Sequence, residues 1–468
     1  MSDEKKGTVV IDETGENIRE KTKEEVEVEN KKLEESLQPE KKDEGLDPDV
    51  LKKLKSKSKK KEATAQPVRD RSLYWGVIGV GQAGSRIAEI FYKLGYESCV
   101  FNTASQDLEF IEMPENRKVL LNLALGGAGK ELSNGALAVE NNADIVMDKL
   151  NDFFTDDQEM LLVVASGAGG TGSGGIENMI HLASSLGKPI GVIYVLPLES
   201  EDALGKHNAI TTLSKLSKLA SSDVISSLVV VDNAKIDLIY SGLSKADFWD
   251  VANSSIVEPL HLFNHLSSLP TKYDALDAMD FARGFTAGDC TIFGMIEVED
   301  YLETTAIAEA VVENLEHSLL ASDFDLTETR FCEYIVTGSP EALRKLPAAN
   351  IHYATHMLSE QCDNPQMIHG VYEMEDMDTD CIRVYTLLSG LGLPRTRINS
   401  LQKDAEKKMS AIRDKERKRA SNMNIDYGTG TETQDKAQEV HRLIKQKKSG
   451  FGQIASNAGK RILDKRKR

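Results

Sequence analysis

A dense run of glycines in one defined place limits most strongly what this chain can fold into. Ser166-Gly167-Ala168-Gly169-Gly170-Thr171-Gly172-Ser173-Gly174-Gly175 follows Met160 to Ala165 (MLLVVA), which reads as a buried strand, and precedes Ile176 to Leu186, which reads as a helix. Glycine loses more backbone freedom on folding than any other residue, so such density needs a structural reason. A main chain that must wrap an anion supplies one. A nest of backbone N–H groups, joined by the Thr171 and Ser173 hydroxyls, suits a di- or triphosphate. No GxxxxGK[ST] sequence is present, which excludes a P-loop NTPase.

A second glycine loop, Gly79-Val80-Gly81-Gln82-Ala83-Gly84, follows an expected strand (Tyr74 to Val80) and opens an expected helix (Ser85 to Leu94) that Gly95 stops. Further strands are expected over Ser98 to Phe101, Val119 to Leu123, Ile190 to Leu196 and Leu228 to Val231. Strands that are apolar throughout and alternate with helices predict an α/β fold with a Rossmann-like parallel sheet covered on both faces. Ligands of such sheets bind at the carboxyl ends of the strands. A dinucleotide fold also wants an acid at the end of its second strand. Here that strand runs into Asn102-Thr103-Ala104-Ser105-Gln106-Asp107, which counts against NAD.

A long helix is expected from Lys245 to Leu266, and after it a smaller α/β unit. Thr291 to Val298, Phe331 to Thr337 and Val384 to Leu388 read as its strands, with a helix near Thr305 to Ala321. The expected division is a disordered charged arm (1–72), a nucleotide-binding domain (73–244), a central helix with the loop after it (245–280), a second α/β domain (281–394), and a charged helix with a basic tail (395–468).

Charge is segregated along these parts. The net charge is −18, yet residues 395–468 carry 21 basic and 9 acidic side chains, whereas 73–394 carry 47 acidic and 18 basic. An acidic body repels nucleic acid, while a basic tail reads as an interaction segment. The arm, rich in Lys and Glu and including the run Lys52 to Lys61, lacks the apolar residues needed to offset chain entropy. No apolar stretch is long enough to span a membrane and the N-terminus has no secretory h-region, so a cytoplasmic protein is expected. Cys99, Cys290, Cys332, Cys362 and Cys381 show no CxxC spacing and read as reduced core thiols.

The loops resemble those of a known family. GGTGSG is the signature of the tubulin/FtsZ superfamily, and GQAG has the tubulin form. NTASQD, Val231 to Lys235 (VDNAK) and Gly390 to Arg395 (GLGLPR) resemble the TubZ and phage-tubulin branch, and the resemblance covers roughly residues 73–400. It implies a GTPase that binds GTP with Mg²⁺ and polymerises head to tail with itself. Gly81, Gln82 and Ala83 match the first phosphate loop, and Asn102 and Thr103 the loop after the second strand. Gly127, Ala128 and Gly129 match the loop that senses the γ-phosphate, with Lys130 where tubulins usually have Asn. Gly169, Gly170, Thr171, Gly172 and Ser173 match the loop around the α- and β-phosphates. Glu201 matches the ribose-binding acid, Asn233 and Asn253 the guanine-reading residues, and Phe248 the stacking aromatic. An arginine that FtsZ places four residues after the ribose acid is Gly205 here, with Lys206 adjacent.

Asp277 and Asp280 fit the D-x-x-[DE] pattern whose carboxylates polarise the attacking water, although the family's Asn two residues earlier is Ala275. Two acids three residues apart near a helix start share one face, but the helix dipole also favours acids there. The resemblance further implies a bacterial or phage-infected cell and a role in plasmid or phage DNA positioning. The tail from Arg442 to Arg468 would engage DNA or a DNA-bound adaptor, or else the acidic body of a neighbouring subunit. Two other functions stay open at this point: a GTP-bound structural filament protein without hydrolysis, and an NAD-dependent oxidoreductase.

Overall fold

The computed structural model describes residues 69–123, 126–317 and 324–423. The arm over 1–68 and the tail beyond 423, including Arg442 to Arg468, lie outside the described residues. Strands and helices alternate as β1 (Trp75–Val80), α1 (Gly81–Lys93), β2 (Glu97–Asn102), α2 (Ser105–Glu109), β3 (Lys118–Leu120), α3 (Leu132–Asn141), α4 (Ala143–Phe153) and β4 (Met160–Ser166). There follow α5 (Thr171–Ser184), β5 (Ile190–Leu196), α6 (Ala203–Ser221), β6 (Ser227–Asp232), α7 (Asn233–Ile239) and α8 (Lys245–Leu266). The rest comprises α9 (Ala278–Phe285), β7 (Cys290–Val298), α10 (Ala306–His317), β8 (Phe331–Gly338), α11 (Pro340–Lys345), α12 (Ala348–Gln361), β9 (Gln366–Glu373), β10 (Ile382–Leu391) and α13 (Arg395–Met423).

The first six strands pair in parallel in the order β3-β2-β1-β4-β5-β6. Every residue of β1, β5 and β6 is buried, as an all-parallel sheet covered on both faces requires. The segment expected as a separate second domain continues this same sheet. β7 joins β6 through two parallel pairs, Leu228 with Cys290 and Val229 with Thr291, and the Ser227 and Thr291 hydroxyls meet at 2.9 Å. β10 then runs antiparallel between β7 and β8, and β9 lies parallel to β8. Hydropathy reports which strands are buried, not which edges they share, so this continuity was not legible in sequence.

Arg69 to Ser72, assigned to the arm on composition, are held by the folded body, Arg69 by Glu159, Arg71 by Gly95 O and Ser72 by the end of α8. The Ser72 hydroxyl meets that of Ser267 at 2.7 Å. Asn264 accepts from Leu73 N at 2.7 Å and donates to Leu73 O at 2.8 Å. α8 starts on Ser244, whose Oγ accepts from Asp247 N and donates to the Asp247 carboxylate, a side-chain N-cap. All five cysteines are free and buried. Among the described residues no helix is long and apolar enough to cross a membrane.

Candidate functional site

At the carboxyl ends of the parallel strands lies a cavity of about 400 Å³. Gly81, Gln82 and Ala83 line it from the start of α1, and Asn102 and Thr103 from the end of β2. Gly127, Ala128 and Gly129 form one wall, and Gly169, Gly170, Thr171 and Gly172 the floor. Glu201 and Asn233 close the far side. α1 and α5 both begin at this cavity without a side-chain N-cap. First-turn N–H groups have no partner inside a helix, so an anion seated here meets two sets of aligned donors.

The loops brace one another. Thr103 and Thr171 share a hydroxyl hydrogen bond of 2.6 Å, and Gly127 N donates to Thr103 O at 2.8 Å. A β-carbon at Gly170 would lie 2.8 Å from Ala128 Cβ, so glycine there lets the two loops touch. Not all the glycines serve a ligand. α5 starts at Thr171 rather than Ile176, and a β-carbon at Gly174 would lie 2.2 Å from Leu132 O. Gly174 therefore allows α3 to approach α5, and the chain's own backbone fills that space.

Three of the expected nucleotide-binding residues fall outside the cavity lining. Ser173 is 3% exposed and its hydroxyl meets Thr212 Oγ1 at 3.0 Å, tying α5 to α6. Phe248 packs against the core, and Trp249, its neighbour on α8, lines the cavity in its place. The two rings meet edge to face at 5.0 Å. One residue along a helix turns the side chain by about 100°, so a shift of one position decides which aromatic faces a ligand. Asn253 is buried at 7% exposure, one turn further along α8 than Trp249.

Lys206 does not reach the cavity either. It is fully buried and bonded to Glu199 at 3.1 Å and to Asp404 of α13. Arg397 of α13 grips Asp232, the residue before Asn233, through Nε at 2.6 Å and Nη2 at 3.0 Å. α13 is thus bolted to the two loops that carry Glu201 and Asn233.

Asp277 and Asp280 lie elsewhere. Phe281 and Phe285 of α9 pack on Trp75, with ring centroids 6.2 and 5.3 Å away. Trp75 opens β1 at its amino end, whereas the cavity sits past its carboxyl end. Asp277 is the N-cap of α9: its Oδ1 accepts from Met279 N and Asp280 N, each at 2.9 Å, and it is exposed.

Beneath α9, Glu333 of β8 is fully buried and neither carboxyl oxygen has a hydrogen-bond partner. Burial, aided by the nearby Asp280 charge, holds its carboxyl well above the usual range. It stays protonated in the folded chain and ionises in the unfolded one, so its contribution to stability is lost as pH rises above the ordinary carboxylate range. Glu333→Gln keeps the shape without that proton. The variant is expected to gain stability over the unmodified chain at pH 8 and to lose that advantage at pH 5. Urea midpoints at the two pH values check this, and an equal shift at both would contradict it.

The sequence profile of the tubulin/FtsZ family GTPase domain matches residues 76–241, the span that supplies every cavity-lining residue named above except Trp249. That span is a tubulin/FtsZ-type GTPase domain. It is 28% identical over 326 residues to the tubulin-like protein CetZ of Pyrococcus abyssi, covering 67% of this chain and 85% of that one. It is 25% identical over 339 residues to cell division protein FtsZ 2 of Methanocaldococcus jannaschii, covering 71% and 83%. Its fold matches TubZ of Bacillus thuringiensis serovar israelensis, solved as a GTPγS-form protofilament, with a TM-score of 0.66 at 18% identity over 76% of this chain and 96% of that one. CetZ2 of Haloferax volcanii, a GTPγS-bound protofilament, matches with a TM-score of 0.62 at 20% identity over 73% and 100%. The chain is thus similar to CetZ proteins as well as to TubZ.

Two cavity residues to which the motifs gave no role bear on what can bind. Trp249 is one. Asp107 is the other: it accepts from Gln82 Nε2 and Asn102 Nδ2, both at 3.1 Å, and lines the cavity. Its signal was its place five residues after Asn102, in the first turn of α2. Among the described residues no group of three or more His, Cys, Asp or Glu side chains is arranged to hold a metal. Mg²⁺ rarely needs such a cage, since it keeps waters and takes phosphate oxygens with one or two carboxylates. Asp107 fits that part, and the ion would supply charge neutralisation on the phosphates.

Proposed function

We propose that this protein is a cytoskeletal GTPase that binds GTP with Mg²⁺, polymerises head to tail and hydrolyses GTP where subunits meet. The observation that carries this reading is the cavity itself, where two uncapped helix starts, a glycine floor, Asn233 and Trp249 converge. The floor takes the α- and β-phosphates, Glu201 the ribose, and Asn233 with Asn253 the guanine edge, which an amide can match as both donor and acceptor. Asp277 and Asp280 polarise the attacking water. Phosphoryl transfer asks mainly for positioning and charge stabilisation, which this set supplies. The protofilament forms of TubZ and CetZ2 support assembly. A solved TubZ described as a type III plasmid segregation protein supports DNA as the cargo, engaged directly or through an adaptor by the basic tail, in a bacterial or phage-infected cytoplasm.

Of the two tryptophans, Trp75 is buried in the core and Trp249 lines the cavity, so emission changes on nucleotide addition report Trp249. GTP is expected to change the emission at concentrations where ATP does not. Trp249→Ala should weaken GTP binding about tenfold, within the roughly 1–3 kcal/mol typical of base–aromatic stacking. Phe248→Ala should lower stability instead. Equal affinity for ATP and GTP would sink the reading.

A further inference from the structure

Asp232 ends β6 and Asn233 opens α7, so whatever holds the first sets where the second points. Asp232 Oδ1 accepts from Ala234 N at 3.1 Å and so caps α7. The same carboxylate takes the fork of Arg397, Nε on Oδ2 at 2.6 Å and Nη2 on Oδ1 at 3.0 Å. Both side chains are buried, so water and salt screen this pair little. Arg397 continues through Nη1 to Glu199 Oε1 at 2.5 Å. Glu199 in turn accepts from the buried Lys206 at 3.1 Å, Lys206 reaches Asp404, and Asp404 takes Lys408 at 3.0 Å. Lys408 closes the line by donating to Glu201 O at 3.3 Å. Acids and bases therefore alternate without a break from the residue before Asn233 to the backbone of Glu201. None of these six linking side chains lines the cavity.

We propose that Arg397 is a positioning residue that sets guanine selectivity: it aims Asn233 at the base through Asp232, and through Glu199 it holds the ribose loop at the matching distance. This deepens the function proposed above and rests on it. An amide tells guanine from adenine only when it lies within reach of the base edge and in line with it, since hydrogen bonds weaken steeply off angle. Pairing of Asp232 with Leu196 places the end of β6 in the sheet, but it leaves the direction of α7 open. That helix has only seven residues, too few to hold a direction unaided. A forked guanidinium–carboxylate pair fixes a plane as well as a distance. α13 gives the fork a firm base, because Leu401 and Ala405 seat it in the body one and two turns beyond Arg397. Arg397 makes no bond to the phosphate floor, so base and phosphate recognition respond to it separately.

Arg397→Gln would leave Asp232 and Glu199 without their shared cation and endanger the fold. Arg397→Lys keeps the charge and gives up the fork, so it carries the test. Asp232→Asn retains a cap for α7 but turns one acceptor facing Arg397 into an amide donor. GTP and ATP affinities are measured by calorimetry on dilute protein, with urea midpoints alongside. Arg397→Lys is expected to lower GTP affinity at least fivefold and ATP affinity less than twofold, and Asp232→Asn to do the same. Both break one fork, so the double variant should lose no more selectivity than either alone. Leu358→Ala, in the core under α12, should lower the urea midpoint and leave the GTP-over-ATP preference unchanged, which separates aiming from plain loss of stability. Equal losses for both nucleotides, no change in either, or selectivity losses that add in the double variant would overturn the assignment and leave the GTP-binding reading intact. If the unmodified chain binds neither nucleotide, or both equally, the reading beneath it fails as well.

Discussion

Gly169→Val is expected to abolish GTP binding at concentrations that saturate the unmodified chain, with its fold unchanged. Gly169 lines the cavity, its φ is not in the left-handed region, and a β-carbon built there meets no protein atom within 4 Å. Nothing in the protein therefore requires glycine at this position. The space beside it is what the two uncapped helix starts face, and valine methyls would occupy it. Excluding a phosphate from its donors costs several hydrogen bonds to a charged group, each worth about 1.5–3 kcal/mol, and every 1.4 kcal/mol is roughly tenfold in affinity. A loss of more than about a hundredfold follows. Gly170→Ala is the contrast. Its added carbon would press on Ala128 Cβ at 2.8 Å and Lys130 N at 2.9 Å, so it should lose stability together with binding. Dissociation constants from Trp249 emission and urea midpoints separate the two. GTP binding by Gly169→Val within threefold of the unmodified chain would mean the phosphates do not lie on this loop.

The parallel sheet was legible because its strands are short apolar runs bounded by glycine. Ile190 to Leu196 and Lys245 to Leu266 match β5 and α8 at both ends. β9 and α12 escaped notice for a physical reason. Gln366–Glu373 lies at the sheet edge, where its first residues are not buried and its pattern is mixed, and Ala348–Gln361 carries polar residues on several sides. α6 escaped because Lys206, Asn208 and Thr212 read as surface residues, yet all three are buried through ion pairs or hydrogen bonds to distant segments. Within the site, motif spacing located the phosphate loops but not the side chains set by helix rotation. Phe248 and Trp249 differ by one position, and only the packed helix decides between them. Ser173, inside the most specific motif of all, turns to Thr212 because α5 begins two residues before it.

Removing the charge of Asp277 or Asp280 is expected to slow phosphate release at least a hundredfold while GTP binding and filament assembly persist. The magnitude is that of losing a positioned proton acceptor, about 10²–10⁴-fold. Asn is the substitution of choice at 277. Asp277 Oδ1 caps α9 through Met279 N and Asp280 N, and Asn retains the cap, whereas Ala would also cost about 1 kcal/mol of local stability. The reason to place the reaction between subunits is distance within one chain. From Trp249 at the cavity, α8 runs 17 residues to Leu266, about 25 Å at 1.5 Å per residue. α9 then packs on Trp75, at the opposite end of β1 from the glycine loops. Asp277 is exposed there and faces outward. A head-to-tail neighbour can bring these acids to a γ-phosphate, and such a heterologous contact generates an open filament. Mixing Gly169→Val with Asp277→Asn isolates the junction. The first subunit keeps its acids without binding GTP, and the second binds GTP without a working pair. Each alone should be inactive, while the mixture regains phosphate release where the acids of the first meet the nucleotide of the second. The unmodified chain should likewise release phosphate with a per-subunit rate that climbs as concentration passes the assembly threshold. A rate that stays constant down to dilute monomer would place the acids and the nucleotide in one subunit and end the shared-site mechanism.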